Sequence, residues 1–481
     1  MNNHNIKISN FSNAETVTYP IIKLTGSVQF DANIFCGISK DKRVILHQND
    51  QNTSTSSDLV DNNFKFLVQL SNGKNLITVQ YCCESVSVVL EYFPVVSENS
   101  VIPLYVICED HDGCFQAPAW ESNTVESACR RISLASKLLQ CVTAEKLYEH
   151  GLGRKTFGLD GDCRVFRSST STQQARNMGQ MELWESVGRE IMKSSFASEC
   201  KKYLAFLSCT KYREDKYDED IIKTHDDLIS ITDGYVALGG GGLALFGTAC
   251  LYTWPENFDD IIAKFEDTTP VNRNQFLDDS CYRGTLGGCF STTLGSVLHE
   301  LFHTFDLGHT EDGIMGRGFD NIYKVFTLSN KSGDNPSAFP VKIEFKEEFE
   351  ADSLVERLKT ENKKKEFTVI RKFEDVDDTV LSRSCAVILC YHKWFNQTPK
   401  QSSLLSFDPS NKLIKSTSGI RVVEVRSIDR ELVLNSWVFD GRILKFSFQL
   451  PRIEVADENC LIFVEDTVGC ILKEKFKTDR F

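Results

Sequence analysis

The segment from His299 to His309 is the feature that most constrains this chain. It reads HELFHTFDLGH, so His299 and His303 are four residues apart. On a helix both imidazoles lie on one face and can bind a single metal ion. Glu300 follows the first imidazole directly, and in sites of this kind that carboxylate is a base for water rather than a ligand. His309 can supply a third nitrogen if the helix ends and the chain turns back. The segment therefore predicts one catalytic Zn²⁺ ion held by three histidines, with Glu300 as the general base.

The residues after the second histidine decide whether the third can reach the metal. The spacing resembles that of the metzincins, zinc peptidases in which the residue three positions after the second His is usually a left-handed Gly. Asp306 stands there in this chain. Asp tolerates that conformation at a cost of about 1 kcal/mol. Met315 follows His309 by six residues in a glycine-flanked turn, which matches the metzincin Met-turn beneath the metal. A gap-filling core methionine is compatible with the same position.

Two further features each have two interpretations. Arg317 lies two residues after the methionine. It either contacts the oxyanion or a substrate carboxylate, or forms a structural salt bridge. The glycine run that begins at residue 239 either forms a packed turn or lets an extended substrate approach an edge strand. In the second case the contacting residues are Gly241, Gly242, Leu243 and Ala244.

Composition narrows the classes of partner. The formal net charge of −13 and the sequence pI of about 5.3 argue against nucleic-acid binding, which needs a basic face. The N-terminus has no basic region followed by an apolar run, and no stretch has the roughly 18 apolar residues of a membrane span. The 17 cysteines are interpreted as reduced, buried residues. We therefore expect a cytoplasmic protein, with the nucleus as a second location, that acts on a peptide or protein away from membranes. The sequence does not predict an oligomeric state.

The periodicity changes along the chain and predicts a multidomain α+β protein. Residues 1–110 alternate as strands, with a hairpin turn at Asn72-Gly73, and predict a small β-sandwich-like domain. Residues 115–400 mix helices, at 122–150 and 181–192, with short strands such as 203–209, and predict the central zincin-like catalytic domain. Residues 401–481 predict a second small β-rich domain. The two β domains are either substrate or partner modules or, more economically, structural supports. Ser291 or Thr292 is the expected cap of the metal-binding helix, and residues 344–366 predict an exposed charged helix.

Several segments besides the histidine motif resemble a zinc metallopeptidase family that is widespread in fungi and also found in nematodes. The similar segments are residues 143–147, 149–157, 166–169, 204–210, 239–246, 251–255, 275–281 and 316–320. The resemblance implies a zincin fold, peptidase activity and metal-site roles for His299, Glu300, His303 and His309. It also includes an aspartate at the position of Asp306.

Two other functions fit the same residues. One is a zinc-holding protein that binds partners without turnover, and the other is a non-peptide zinc amidohydrolase, because the water chemistry is the same. The intact Glu300 favours an active endopeptidase over the first, since a silent descendant has no need of a base.

Overall fold

The computed structural model describes residues 4–30, 43–49, 54–328, 379–396, 403–429, 431–453 and 459–477. Across these residues the protein is a mixed α+β structure with several sheets. None of the helices in the described ranges is long and apolar enough to cross a membrane. The charged helix predicted at 344–366 lies outside the described residues.

The N-terminal region forms two sheets whose strands alternate between buried and exposed residues. The strands are β1 (His4–Ile8), β2 (Glu15–Val17), β3 (Ile21–Phe30), β4 (Arg43–Gln48), β5 (Ser54–Asp58), β6 (Asn63–Gln69), β7 (Gly73–Tyr81) and β8 (Glu84–Tyr92). One sheet has the order β1-β3-β6 and the other the order β2-β8-β7-β4-β5. In β6 the buried residues are Phe64, Phe66 and Val68, and they share one core with Ile77 and Val79 of β7. Alternation with period two therefore turns one face of each sheet inward.

The predicted hairpin at Asn72-Gly73 is wrong. β6 pairs with β3, whereas β7 pairs with β4 and β8, so the chain crosses there from one sheet to the other. The buried side chain of Asn75 explains the crossing, because it accepts the Ser71 N–H at 2.9 Å and donates to the Ser71 carbonyl at 2.7 Å. These bonds satisfy backbone groups that a hairpin satisfies across its strands.

The central sheet is mainly parallel. Its strands are β9 (Ser100–Ile107), β10 (Gly158–Leu159), β11 (Arg164–Arg167), β12 (Lys201–Leu207), β15 (Ala237–Gly240) and β16 (Leu243–Gly247). Two short strands, β13 (Lys211–Tyr212) and β14 (Thr232–Asp233), form a separate pair. The order is β10-β9-β12-β16-β15, with β15 antiparallel to β16 at one end. All eight residues of β9 are buried, as expected for an interior parallel strand. This strand falls inside the range 1–110 but pairs with β12, so part of that range contributes to the central sheet.

Helices cover both faces of the central sheet. They are α1 (Val125–Glu149), α2 (Thr172–Asn177), α3 (Gln180–Ile191), α4 (His225–Ser230), α5 (Ile261–Phe265), α6 (Leu286–Thr304), α7 (Tyr323–Phe326) and α8 (Arg383–Tyr391). The helices predicted at 122–150 and 181–192 are confirmed as α1 and α3. Leu204 and Phe206 of β12 pack in the core that holds α1 and α6, while Ala205 and Leu207 pack in the core that holds α3.

The C-terminal region is one antiparallel sheet. Its strands are β17 (Leu405–Asp408), β18 (Leu413–Ser427), β19 (Val433–Val438), β20 (Lys445–Gln449), β21 (Asn459–Asp466) and β22 (Ile471–Lys477). Strands were predicted across this region, and the structure confirms them. Val422 and Phe463 belong to the same buried core as α1, α6 and α8, so this sheet packs directly against the central region. The division at residues 110, 115 and 400 into separate domains stays a prediction.

Candidate metal centre

Helix α6 presents His299, Glu300 and His303 from its last turns. The helix begins at Leu286 with Thr285 as its cap, whose hydroxyl accepts the Gly288 N–H at 3.1 Å. The expected cap at Ser291 or Thr292 is therefore wrong. Both residues are buried inside the helix, and Ser291 donates its hydroxyl to the Asp320 carbonyl at 2.7 Å. Because residues i and i+4 share a helix face, the two imidazoles point the same way.

Strand β15 runs against α6 at Glu300. A Cβ atom at Gly239 would lie 1.9 Å from the Glu300 carbonyl oxygen, so only glycine allows this approach. Burial raises the pKa of the Glu300 carboxyl to about 8, with the nearby charge of Glu431 adding to the shift. A hydrogen bond from the Gly239 backbone to that carboxyl opposes the shift. The carboxylate is thus held between the metal-binding helix and the edge of the sheet.

The end of α6 has the geometry of a Schellman motif. The Leu307 N–H donates to the Phe302 carbonyl at 3.2 Å, and the Asp306 N–H donates to the His303 carbonyl at 3.1 Å. Asp306 has a φ of +67°, which is the left-handed conformation predicted for this position. Its carboxylate accepts Lys473 Nζ at 2.6 Å and His392 Nε2 at 3.2 Å. These contacts lower the pKa of Asp306 although burial raises it. Asp306 therefore ends the helix and also ties the loop to distant elements.

The C-terminal sheet places His309. The His309 N–H donates to the Glu431 carbonyl at 3.0 Å, and the Val433 N–H donates to the His309 carbonyl at 2.9 Å. These two bonds form a parallel bridge between His309 and Leu432, so the loop lies along the start of β19. A Cβ atom at Gly308 would lie 3.0 Å from the Glu431 carbonyl oxygen. The third histidine is therefore fixed by backbone pairing with a segment more than 100 residues away in sequence.

The three imidazoles converge through their Nε2 atoms. His303 Nε2 lies 3.0 Å from His299 Nε2 and 3.1 Å from His309 Nε2. Among the described residues these histidines form the one group of His, Cys, Asp or Glu able to hold a metal ion. His299 Nδ1 lies 2.7 Å from the Ile314 carbonyl oxygen and His303 Nδ1 lies 2.9 Å from the Leu307 carbonyl oxygen. A carbonyl only accepts, so each Nδ1 carries the proton and each Nε2 presents a lone pair.

Converging lone pairs in a buried place fit a cation. Burial, with His303 as the next cause, lowers the pKa of His299 to about 3. Burial and the neighbouring His309 lower the pKa of His303 to about 4. Both imidazoles are therefore neutral at pH 7, as metal ligands must be. Two nitrogens bound to a tetrahedral zinc ion at about 2.0–2.1 Å are about 3.3 Å apart, close to the observed spacings. The residues present fit a zinc ion.

Met315 and Arg317 lie in the turn that follows. Met315 is buried, and its carbonyl accepts the Thr310 N–H at 3.0 Å, which closes the loop over residues 310–315. Arg317 forms an ion pair with Asp320 at 3.1 Å, and its guanidinium lies 4.9 Å from the centre of the Phe319 ring. Arg317 therefore forms a salt bridge, as one of its two interpretations predicted. A substrate contact for Arg317 stays a prediction.

The residues predicted to contact the substrate were assigned to the wrong strand: the edge is formed by the strand before them in the sequence. Gly241 and Gly242 form the turn between β15 and β16. Leu243 and Ala244 lie in β16, which pairs with β12 on one side and β15 on the other. In the part of the sheet that is described, the end strand is Ala237–Gly240. The glycine run forms the turn of a β-hairpin, and the strand before this turn, not the strand after it, forms the edge.

Sequence reasoning missed the residues that surround the centre from elsewhere in the chain. His392 is buried beside Asp306, and Lys473 is on the outermost strand of the C-terminal sheet. His225 forms a pair with Asp279 at 3.0 Å, and the charge of Arg317 acts on both His225 and His299. None of these residues is at a recognisable spacing from its partner. No local pattern could have identified them.

The fold and the site together define a mixed α+β protein with three histidines that could hold a metal ion, and with the partly buried Glu300 next to the first of them in the chain. The family described as "Putative peptidase family" matches residues 5–378. The chain belongs to this family.

Two fungal proteins are similar to the chain. One, from Saccharomyces cerevisiae, is called "Putative zinc metalloproteinase YIL108W" and is 24% identical over 314 residues, which cover 58% of this chain and 44% of the relative. The other, from Schizosaccharomyces pombe, is called "Putative zinc metalloproteinase C607.06c" and is 24% identical over 349 residues, which cover 67% of this chain and 54% of the relative. The matched region thus spans about half the length of each relative. The family and these names suggest a metallopeptidase and a zinc ion.

Proposed function

We propose that this protein is a zinc-dependent endopeptidase of the metzincin type. His299, His303 and His309 bind one zinc ion, and Glu300 is the general base. The observation that carries the proposal is the convergence of three Nε2 atoms, with neighbours 3.0 and 3.1 Å apart, while two of the Nδ1 atoms are committed to backbone carbonyls. Three imidazoles are the ligand set of a catalytic zinc site, which leaves a position for water or substrate.

The bound ion supplies Lewis acidity, which lowers the pKa of water and polarises a carbonyl group. The protein's own residues move the proton. Glu300 follows His299 on the same helix, and in this proposal its carboxylate takes the proton from the attacking water. The same carboxyl then delivers this proton to the nitrogen of the leaving amine. Partial burial keeps competing bulk water away from the carboxylate.

The substrate lies along β15 as an added strand. Ala237–Gly240 is the end strand of the described sheet, and Gly239 brings it against Glu300. A peptide paired with this edge gains backbone hydrogen bonds that do not depend on its side chains. The close approach of Gly239 to Glu300 supports this pose, in which a scissile carbonyl would lie beside the carboxylate. The substrate is therefore a peptide or an extended protein segment.

The turn after His309 has a supporting role in this proposal. Met315 forms the floor of the centre as the Met-turn, because its side chain is buried directly after the third ligand. Arg317 shapes the mouth of the site through Asp320, and a substrate carboxylate can replace that partner.

Metal analysis combined with cleavage of a peptide library tests the function. The wild type should contain one zinc per chain and cleave internal peptide bonds. Glu300→Gln should retain the zinc and lose activity by about 10²–10⁴-fold, because only the proton-transfer group is removed. Glu311→Gln is the matched control, since Glu311 is an exposed carboxylate in the adjacent loop and should leave both readouts unchanged.

Each alternative gives a distinct result in the same experiment. Bound zinc without cleavage of any peptide, by wild type or variant, identifies a zinc-holding binding protein. Bound zinc with hydrolysis of small non-peptide amides alone identifies an amidohydrolase. A well-folded wild type that binds no zinc contradicts the metal centre itself.

A further inference from the structure

A cavity of about 540 Å³ lies at the beginning of β12, between α3 and Trp394, and nothing in the proposed peptidase mechanism uses it. The turn at Gly241 and Gly242 covers one side of it. Its apolar walls come from side chains of three different elements and the segment after α8. These are Trp184, Ile191, Met192, Tyr203, Leu243 and Trp394. The volume suits a ligand the size of one or two amino acids.

Lys202 lines this apolar cavity, although a buried ammonium group is costly to keep. The residue is 6% exposed, and its Nζ donates to the Gly241 carbonyl at 2.9 Å. That bond occupies one of three donors. No carboxylate in the described part of the chain lies within 4 Å of the Nζ atom. The nearby Asp306 has already accepted hydrogen bonds from His392 and Lys473. Burial lowers the pKa of Lys202 to about 8; the charge of Asp306 opposes this shift, and the charges of Lys393 and Lys473 contribute to it.

Trp394 adds a second incompletely satisfied donor. Its indole Nε1 is buried and has no hydrogen-bond acceptor among the described residues. The ring lies between two cations, with Lys202 Nζ 4.4 Å and Lys393 Nζ 4.5 Å from its centre. A buried N–H without an acceptor costs about 1–3 kcal/mol, so its presence beside an ammonium that no described carboxylate pairs with indicates room for a further acceptor.

The other charges of the lining do not supply that acceptor. Glu185 is paired with Arg189 at 3.1 Å, and Lys201 is paired with Asp160 at 3.2 Å. Glu199 is exposed at the rim. Lys202 is thus the cation in the described wall whose charge is uncompensated within the cavity.

We propose that this cavity binds a carboxylate carried on an apolar or aromatic group. Lys202 and the indole N–H of Trp394 donate to the carboxylate, while Trp184 and Leu243 contact the apolar part. The matching chemistry is that of a free amino-acid or peptide C-terminus with a large apolar side chain. The site is close to the metal centre, because Gly241 is two residues from Gly239. It uses no metal ligand, so the proposal does not depend on peptidase activity.

Binding of N-acetyl-L-phenylalanine to the full chain tests the site. Isothermal titration calorimetry and tryptophan fluorescence both report it, since Trp184 and Trp394 line the cavity. The matched probe is N-acetyl-L-phenylalaninamide, which lacks the negative charge. The carboxylate should bind at least tenfold more tightly than the amide. Equal affinities, or no binding of the carboxylate at millimolar concentration, would overturn the proposal.

Two variants assign the binding to particular donors. Lys202→Met keeps an unbranched side chain close to the alkyl stem of lysine, removes a buried charge and should weaken carboxylate binding at least tenfold. Trp394→Phe keeps the ring, removes the N–H and should weaken binding by a smaller factor. Lys201→Met is the control, because its partner is Asp160, and it should change affinity less than twofold. Equal losses in Lys202→Met and Lys201→Met would show general attraction to positive charge and contradict the proposed site.

Carboxylates also bind zinc, so the titration must be repeated with the metal removed. Binding should persist in chelator-treated protein and in Glu300→Gln. Loss of binding on metal removal would place the probe at the metal centre and reject the cavity. Because this readout is not catalytic, a protein that binds the probe without cleaving peptides separates the two proposals.

Discussion

The two sides of the metal centre are built by different means. Helix α6 supplies His299, Glu300 and His303 from one regular element inside the family match at residues 5–378. The C-terminal sheet supplies no ligand and lies beyond residue 378, yet it fixes His309 through Glu431 and Val433 and fixes Asp306 through Lys473. One side is determined by helix periodicity and the other by contacts over long sequence distances. The difference teaches that contacts with the C-terminal sheet position the loop that carries Asp306 and His309.

The helix side should show the largest effect when a ligand is removed. We expect His303→Gln to lose zinc affinity by about a hundredfold or more. Structural zinc sites gain roughly 10–16 kcal/mol from four ligands, or about 3 kcal/mol each. Competition with a chromophoric chelator measures the affinity. The circular dichroism spectrum should be unchanged, and stoichiometric zinc of unaltered affinity in this variant would refute His303 as a ligand.

Variants on the sheet side should lose less zinc affinity than His303→Gln. The double variant His392→Phe with Lys473→Met removes both partners of Asp306 but keeps an aromatic ring and an alkyl stem. We expect zinc affinity to fall by about 10–100-fold, as when residues that orient metal ligands are replaced. Lys475→Met, an exposed lysine on the same strand, is the control and should bind zinc normally. If the double variant equals the control, the sheet does not support the centre.

Replacing Asp306 tests the connection between the two sides. Asp306→Gly relieves the left-handed conformation by about 1 kcal/mol, but it removes both polar contacts and adds freedom to the unfolded chain. We expect a net loss of about 1–2 kcal/mol in the free energy of unfolding, measured by urea denaturation. Asp306→Asn should lie between wild type and Asp306→Gly. A more stable glycine variant would mean that the contacts with His392 and Lys473 contribute nothing.

The dependence of stability on acidic pH should report the burial of His299 and His303 on the helix side. The folded pKa values of His299 and His303, about 3 and about 4, are below the unfolded value near 6.5. The unfolded chain therefore takes up protons first, and the metal-free protein loses stability as pH falls from 6.5 toward 4. Each histidine contributes at most about 1.4 kcal/mol per pH unit. The slope should be shallower in metal-free His303→Gln, and identical slopes would contradict the burial of His303.

Much of the centre could be predicted because its signals are local. The i, i+4 spacing of His299 and His303 requires only a helix, and the left-handed Asp306 requires only that the helix end there. The sequence also indicated a turn in the glycine run that begins at residue 239. It did not indicate which of the two adjoining strands forms the edge of the sheet. Among the described strands, β15 pairs with β16 and with no other strand, whereas β16 also pairs with β12. The local sequence pattern does not specify these partners. The misplaced hairpin at Asn72-Gly73 has the same origin, since Asn75 and the second sheet decided that turn.

The sequence by itself determined the candidate ligand types, two of their relative positions and the place of Glu300, the proposed base, because a helix converts spacing into direction without help from the rest of the fold. The tertiary structure alone decided where His309 lies, what holds Asp306 and why the C-terminal sheet matters. It also brought Lys202 and Trp394 together. These contacts join residues that lie 86 or more positions apart in the sequence, and burial and backbone pairing, not periodicity, select such partners.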